Sequence, residues 1–163
     1  MENLETRLNE VARIAVGLEQ ETGCPAQLMI AQWAIESAWG AKPVGHANYF
    51  GIKKADRHTK CCTVTTREVI NGKSVVESLE FADYDSLEEP CRDYSWLITQ
   101  GAPYRAAWQG YQIEHDFDAL AGGCIHICDG PQLRALSREH CVAAEHRTSD
   151  WLRAPGGRGQ FCR

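Results

Sequence analysis

The sequence predicts a mainly α fold of the α+β type, a helical domain with one small β-hairpin lobe inserted after a buried central helix. Three observations carry that reading. Apolar residues recur at helical spacing from Leu4 to Leu18, the stretch from Pro25 to Trp39 is apolar nearly all the way round, and two β-rich runs flank Asn71-Gly72.

Taken in order, Leu4, Leu8, Val11, Ala15 and Leu18 form one stripe between Glu, Arg and Asn residues, so the first helix is amphipathic and stops near Gly23. In the next segment only Gln27, Gln32, Glu36 and Ser37 interrupt the apolar run. This predicts a buried helix, with Pro25 in its first turn and Gly40 at its end. Residues 41–60 read as loop around Gly45, Asn48 and Gly51. The runs Thr63 to Ile70 and Lys73 to Phe81 follow, and the Asn-Gly pair between them is a strong two-residue turn signal. Ser86 to Glu89 has capping-box spacing and opens a helix that ends at Gly101, and Pro103 to Tyr111 and Phe117 to Leu120 give two shorter helical segments.

With 163 residues and 44% hydrophobic content the chain suits one domain. A net charge of −5 gives no general electrostatic attraction to nucleic acid or an anionic membrane. No apolar run approaches the roughly 20 residues of a membrane span, and the acidic start lacks the pattern of a secretory signal, so the expectation is a protein made in the cytoplasm that does not insert in membranes. The eight cysteines are then expected mostly as free thiols.

Glu36 is the informative residue. It lies on the ridge Met29, Trp33, Glu36, Gly40 of an apolar helix, with Trp33 and Trp39 about a turn to either side. Burial beside indole rings disfavours the charged carboxylate and is expected to raise its pKa, as a general acid near neutral pH requires. Glycoside hydrolysis usually employs a second carboxylate across the scissile bond. Strand alternation puts Val64, Thr66, Glu68 and Ile70 on one face, and a two-residue turn places Glu68 opposite Val75, so Glu68 is the candidate on the far wall of a cleft. Glu77 and Glu80 lie on the returning strand, and Glu77 reads as a solvated strand charge rather than a catalyst. Tyr49, Phe50, Tyr84, Tyr104, Trp108 and Tyr111 could stack on sugar faces, although aromatics at such spacing are core residues first.

Together, Ala34-Ile35-Glu36-Ser37-Ala38-Trp39-Gly40, Asn48-Tyr49-Phe50-Gly51-Ile52-Lys53, Thr66-Arg67-Glu68, and Phe81-Ala82-Asp83-Tyr84-Asp85-Ser86 with Asp93-Tyr94 and Tyr104 resemble glycoside hydrolase family 73. These are the peptidoglycan-cleaving N-acetylglucosaminidases of autolysins, flagellar muramidase-type domains and phage lysins. The likeness covers about residues 5–123. It implies a lysozyme-like helical fold, hydrolysis of the β-1,4 bond after N-acetylglucosamine in the peptidoglycan glycan strand, and no metal or other cofactor. By position, Glu36 matches the general acid and Glu68 the second carboxylate. Trp39, Asn48, Tyr49, Phe50, Tyr104 and His126 are the residues that the resemblance places at the substrate. Attack by water, by Glu68 or by the substrate's own N-acetyl group stays open.

The family continues with a tyrosine-containing segment that is absent from Cys124 to Leu133, where His126 falls near its first tyrosine. We therefore expect a catalytic domain over residues 1–123 and a divergent segment over 124–163. A shifted reading frame accounts for that segment: one codon choice for Cys124 to Ala135, read one base later, gives Val-Tyr-Ile-Tyr-Ala-Thr-Ala-Pro-Ser-Tyr-Ala, which resembles the family segment. A tail so produced is expected to be poorly ordered. Cys124, His126, Cys128, His140 and Cys141 do not show paired zinc-ligand spacing, so no metal site is expected.

The expected function is that of a monomeric peptidoglycan hydrolase reaching the cell wall, in the periplasm or outside the cell, through lysis, injection or assembly. Two readings stand beside it: a catalytically impaired glycan-binding or virion-structural domain, and a lytic transglycosylase, which works with a single Glu.

Overall fold

A computed structural model describes residues 3–70 and 73–125, the side chains of 66–70, 73–75 and 125 excepted. Helix α1 (Leu4–Thr22) starts where the Asn3 side chain accepts from the Thr6 amide at 2.8 Å, and ends at Gly23, whose φ of 79° suits a left-handed cap. Its stripe buries Val11, Ala12, Ile14, Ala15 and Leu18, while Leu4 at the first turn stays 47% exposed, beyond the reach of the core.

Helix α2 (Ala26–Glu36) is the buried centre, packed on α1 and α3. It stops at Glu36, short of the Gly40 end that the apolar run suggested. Ala38, Trp39 and Gly40 have φ of 49°, 61° and 74°, a run of left-handed residues that no helix continues through. Ser37 locks this exit: its hydroxyl donates to the Trp33 carbonyl at 2.5 Å and accepts from the Gly40 amide at 2.8 Å. Trp39 is thus carried off the helix axis, with its amide on the Ala34 carbonyl at 2.8 Å.

Strands β1 (Cys61–Ile70) and β2 (Lys73–Ala82) pair antiparallel in the predicted register, with Ile70 opposite Lys73 and Glu68 opposite Val75. A bridge from Lys53 to Phe81 adds a short third element on the open edge of β2. Along the hairpin, Cys62, Val64, Glu77, Leu79 and Phe81 are half-buried, and Cys61, Thr63, Thr65, Val76, Ser78 and Glu80 are exposed.

Helix α3 (Glu88–Gln100) begins one residue away from the predicted capping box, because the Glu89 carboxylate reaches the Asp85 amide at 3.0 Å and Leu87 occupies the cap. A 3-10 turn (Ala102–Tyr104), α4 (Arg105–Glu114) and α5 (Phe117–Ile125) complete the described body. Helix α5 carries a buried Cys124, so helical structure runs past residue 123. The expectations for His126 and for the rest of the tail lie outside the described residues. The described cysteines, Cys24, Cys61, Cys62, Cys91 and Cys124, are all free thiols. Burial pushes the Cys24 thiol up to about 12 and the Cys91 thiol up as well, which leaves neither available as a thiolate nucleophile. Among the described residues, no helix is long and apolar enough to cross a membrane and no cluster of His, Cys, Asp or Glu could hold a metal ion.

Candidate active site

The last helical residue of α2 is the candidate acid. Glu36 is half-buried, whereas Leu28 to Ala34 before it are buried, so the carboxylate leaves the core where the helix does. The loop carrying Gly51 runs alongside: a Cβ on Gly51 would stand 3.9 Å from Glu36 Oε2, and its φ of 61° is a conformation in which glycine is the unstrained choice.

Asn48 holds that loop in place. Its Nδ2 donates to the carbonyls of Ile52 at 2.9 Å and Ala82 at 2.8 Å, and its Oδ1 accepts from the amides of Ile52 at 3.0 Å and Phe50 at 3.3 Å. Every hydrogen-bonding position of this buried amide is engaged with backbone, which ties the loop beside Glu36 to the foot of β2. Asp83, just past β2, adds a second tie. Its Oδ1 accepts from the amides of His46 at 2.8 Å and Tyr84 at 3.1 Å. Partial burial works against its charge, but those backbone bonds outweigh it and hold the carboxyl below the usual range.

A further carboxylate, Asp93 on α3, gathers the segment that follows. Arg57 donates from Nε and Nη2 to its Oδ1, both at 2.9 Å, and Tyr84 donates to Oδ2 at 2.5 Å. His58 Nδ1 accepts from the Ala55 amide at 2.8 Å, so the ring proton sits on Nε2, which donates to Asp93 Oδ2 at 2.7 Å. The Arg57 guanidinium also lies 4.5 Å over the Trp96 ring. Burial alone would raise the Asp93 carboxyl, but the bonds from Arg57, Tyr84 and His58 overcome it and leave it below the ordinary 3.8. A group whose folded value is depressed adds stability above its unfolded value and loses it as pH falls through the folded one. Asp93→Asn is therefore expected to lower the melting temperature at neutral pH and to flatten its decline in acid. Acid melting curves that superimpose on wild type would contradict this role.

The residues singled out from sequence divide by burial. Trp39 and Tyr49 are half-buried and pack against the core, Trp39 three residues past Glu36 and Tyr49 two residues before Gly51. Asn48, Phe50 and Tyr104 are 1%, 6% and 4% exposed. Phe50 stacks on Tyr94 of α3 at 4.6 Å between ring centroids. Glu68 has its backbone on β1 as the register requires. Asp83, Asp93, Arg57 and His58 are the supporting residues that spacing alone does not reveal; Asp83 and Asp93 were visible only as members of the quoted motifs.

A mainly helical body with a two-stranded hairpin lobe and a carboxylate at the end of its buried helix is the architecture expected of a lysozyme-like glycoside hydrolase domain, and the comparisons give its class. Residues 12–123 match the family model described as mannosyl-glycoprotein endo-beta-N-acetylglucosaminidase, and the chain belongs to this glucosaminidase family. Peptidoglycan hydrolase FlgJ of Salmonella typhimurium is 34% identical over 121 residues, which are 70% of this chain and 37% of that protein. The chain thus spans a little over a third of that curated relative. Among solved structures, the catalytic domain of the autolysin Auto from Listeria monocytogenes superimposes with a TM-score of 0.69 at 23% identity, over 90% of this chain and 86% of that one. A C-terminally truncated glycoside hydrolase domain of Salmonella typhimurium FlgJ gives 0.63 at 23% identity, over 91% of this chain and 99% of that one. These two likenesses establish the fold.

Proposed function

We propose that the chain hydrolyses the glycan strand of peptidoglycan at the β-1,4 bond after N-acetylglucosamine, with Glu36 as general acid and Glu68 as the second carboxylate. The observation that carries the reading is Glu36 itself: a half-buried carboxylate at the end of the buried α2, in a chain whose residues 12–123 match a glucosaminidase family. A carboxylic acid at a helix exit can deliver its proton to the leaving sugar oxygen while the core holds its backbone still. Trp39 and Tyr49 offer partly open aromatic surface to the sugar rings, Asn48 fixes the loop that carries Tyr49, and Phe50 and Tyr104 complete the substrate-binding set. No cofactor is needed, and the chain acts as a monomer on the cell wall.

Chitooligosaccharides test this reading against that of a glycan-binding domain. Binding followed by the appearance of shorter oligomers is the expected result. Tight binding with the oligomer length unchanged, and with intact peptidoglycan left undigested, would contradict it.

A further inference from the structure

We propose that Arg57 and Trp96 form a surface site for a free carboxylate of the peptidoglycan stem peptide, separate from the acid at Glu36. The inference rests on the glucosaminidase reading and deepens it, by naming the part of the substrate beyond the sugars that the chain recognises.

The open edge of a guanidinium is the first ground. Arg57 donates from Nε and Nη2 to Asp93 Oδ1, both at 2.9 Å, which engages the side edge of the group. The end edge, where an N–H of Nη1 runs parallel to the second N–H of Nη2, has no partner among the described residues. Two parallel N–H donors are the arrangement that grips a carboxylate through two bonds at once. A lysine offers a point charge in their place.

The ring beside that edge is the second ground. Trp96 is 46% exposed even though the Arg57 guanidinium lies 4.5 Å over it, and it is the one aromatic among the exposed large hydrophobics of the described residues. Its indole N–H has no partner among them either. An open indole next to a cation suits a ligand that carries small apolar groups close to a negative charge. A stem peptide has that chemistry, with alanine methyl groups next to free carboxylates. A neutral sugar brings hydroxyls to the same place but no charge to the guanidinium.

The third ground is preorganisation. The Asp93 side chain is 12% exposed, and its Oδ2 accepts from Tyr84 at 2.5 Å and His58 at 2.7 Å. Those bonds fix the carboxylate and with it the plane of Arg57, so little side-chain freedom is lost when a ligand arrives. Arg92, four residues before Trp96 on α3, is tied instead to Glu88 at 3.0 Å and Glu21 at 2.8 Å. Six residues of chain separate Gly51, beside Glu36, from Arg57, so the Cα atoms of Gly51 and Arg57 lie within about 22 Å of each other. One peptidoglycan fragment can span that distance.

The test follows the indole N–H signal of Trp96 by nuclear magnetic resonance, assigned with Trp96→Phe, while the protein is titrated with an N-acetylated stem tetrapeptide ending in D-alanine. The signal is expected to move to saturation with the free acid and to stay in place with the fully amidated peptide and with chitotetraose. Arg57→Lys should weaken binding about 10-fold, the effect of losing one bidentate charged contact. Trp96→Ala, a surface exchange that also serves if Arg57→Lys fails to fold, is expected to raise KM on intact peptidoglycan about 10-fold at unchanged kcat. Its turnover of chitooligosaccharides should match wild type. Equal responses to the acid and the amidated peptide, or a response to chitotetraose, would overturn the inference, as would a wild-type KM on peptidoglycan for Trp96→Ala. A wild-type chain that binds the peptide acid yet cleaves neither substrate would support this site and overturn the glucosaminidase reading.

Discussion

Glu36→Gln is expected to lower turnover of peptidoglycan by about 10²–10⁴-fold while the protein remains folded, the range typical of a lost general acid. Glutamine matches glutamate in shape and can still accept a hydrogen bond, but it has no acidic proton to give to the departing sugar. The position tolerates the exchange because Glu36 is half-buried at a helix end rather than enclosed. Far-ultraviolet circular dichroism and melting temperature would report the fold, and reducing ends released per minute the turnover. Retention of wild-type rates by a folded Glu36→Gln protein would remove Glu36 from the mechanism.

The second large effect is on stability. Asn48→Ala strands the amides of Phe50 and Ile52 and the carbonyl of Ala82, all of which bond to a side chain that is 1% exposed, and takes one of two donors from the Ile52 carbonyl, which keeps the Ala82 amide at 2.9 Å. Each stranded buried group costs about 1–3 kcal/mol, and water entering the vacated volume relieves part, so a loss of about 3–5 kcal/mol is expected. That corresponds to a fall in melting temperature on the order of 10 °C. Asn48→Asp keeps the two acceptor contacts and removes both donors, so it should fall between wild type and Ala. Activity of the Ala variant, assayed where it is still folded, should also drop, since the loop beside Glu36 loses its tie to β2. A melting temperature within a degree or two of wild type would contradict the structural role of this amide.

Much of this architecture was legible in the residues because it rests on local rules. The α1 stripe, its Gly23 cap and the pairing of Glu68 with Val75 follow from periodicity and turn chemistry alone. The exit of α2 was not legible: Ala38 and Trp39 carry no signal for left-handed backbone, and what imposes it is Ser37 bonding at once to Trp33 and Gly40. Nor does spacing reveal which aromatics face inward. Phe50 is claimed by Tyr94 of α3, and Tyr84 by Asp93, both through contacts between separate elements. The Asp93 cluster joins residues from the loop after Gly51, from the end of the hairpin and from α3, so only the tertiary fold assembles it.

The central claim is cleavage after N-acetylglucosamine, and the most direct measurement is mass spectrometry of peptidoglycan fragments released by the wild-type chain and reduced with borohydride. The account predicts fragments ending in N-acetylglucosaminitol. Fragments ending in N-acetylmuramitol, or in anhydro-muramic acid that resists reduction, would contradict it.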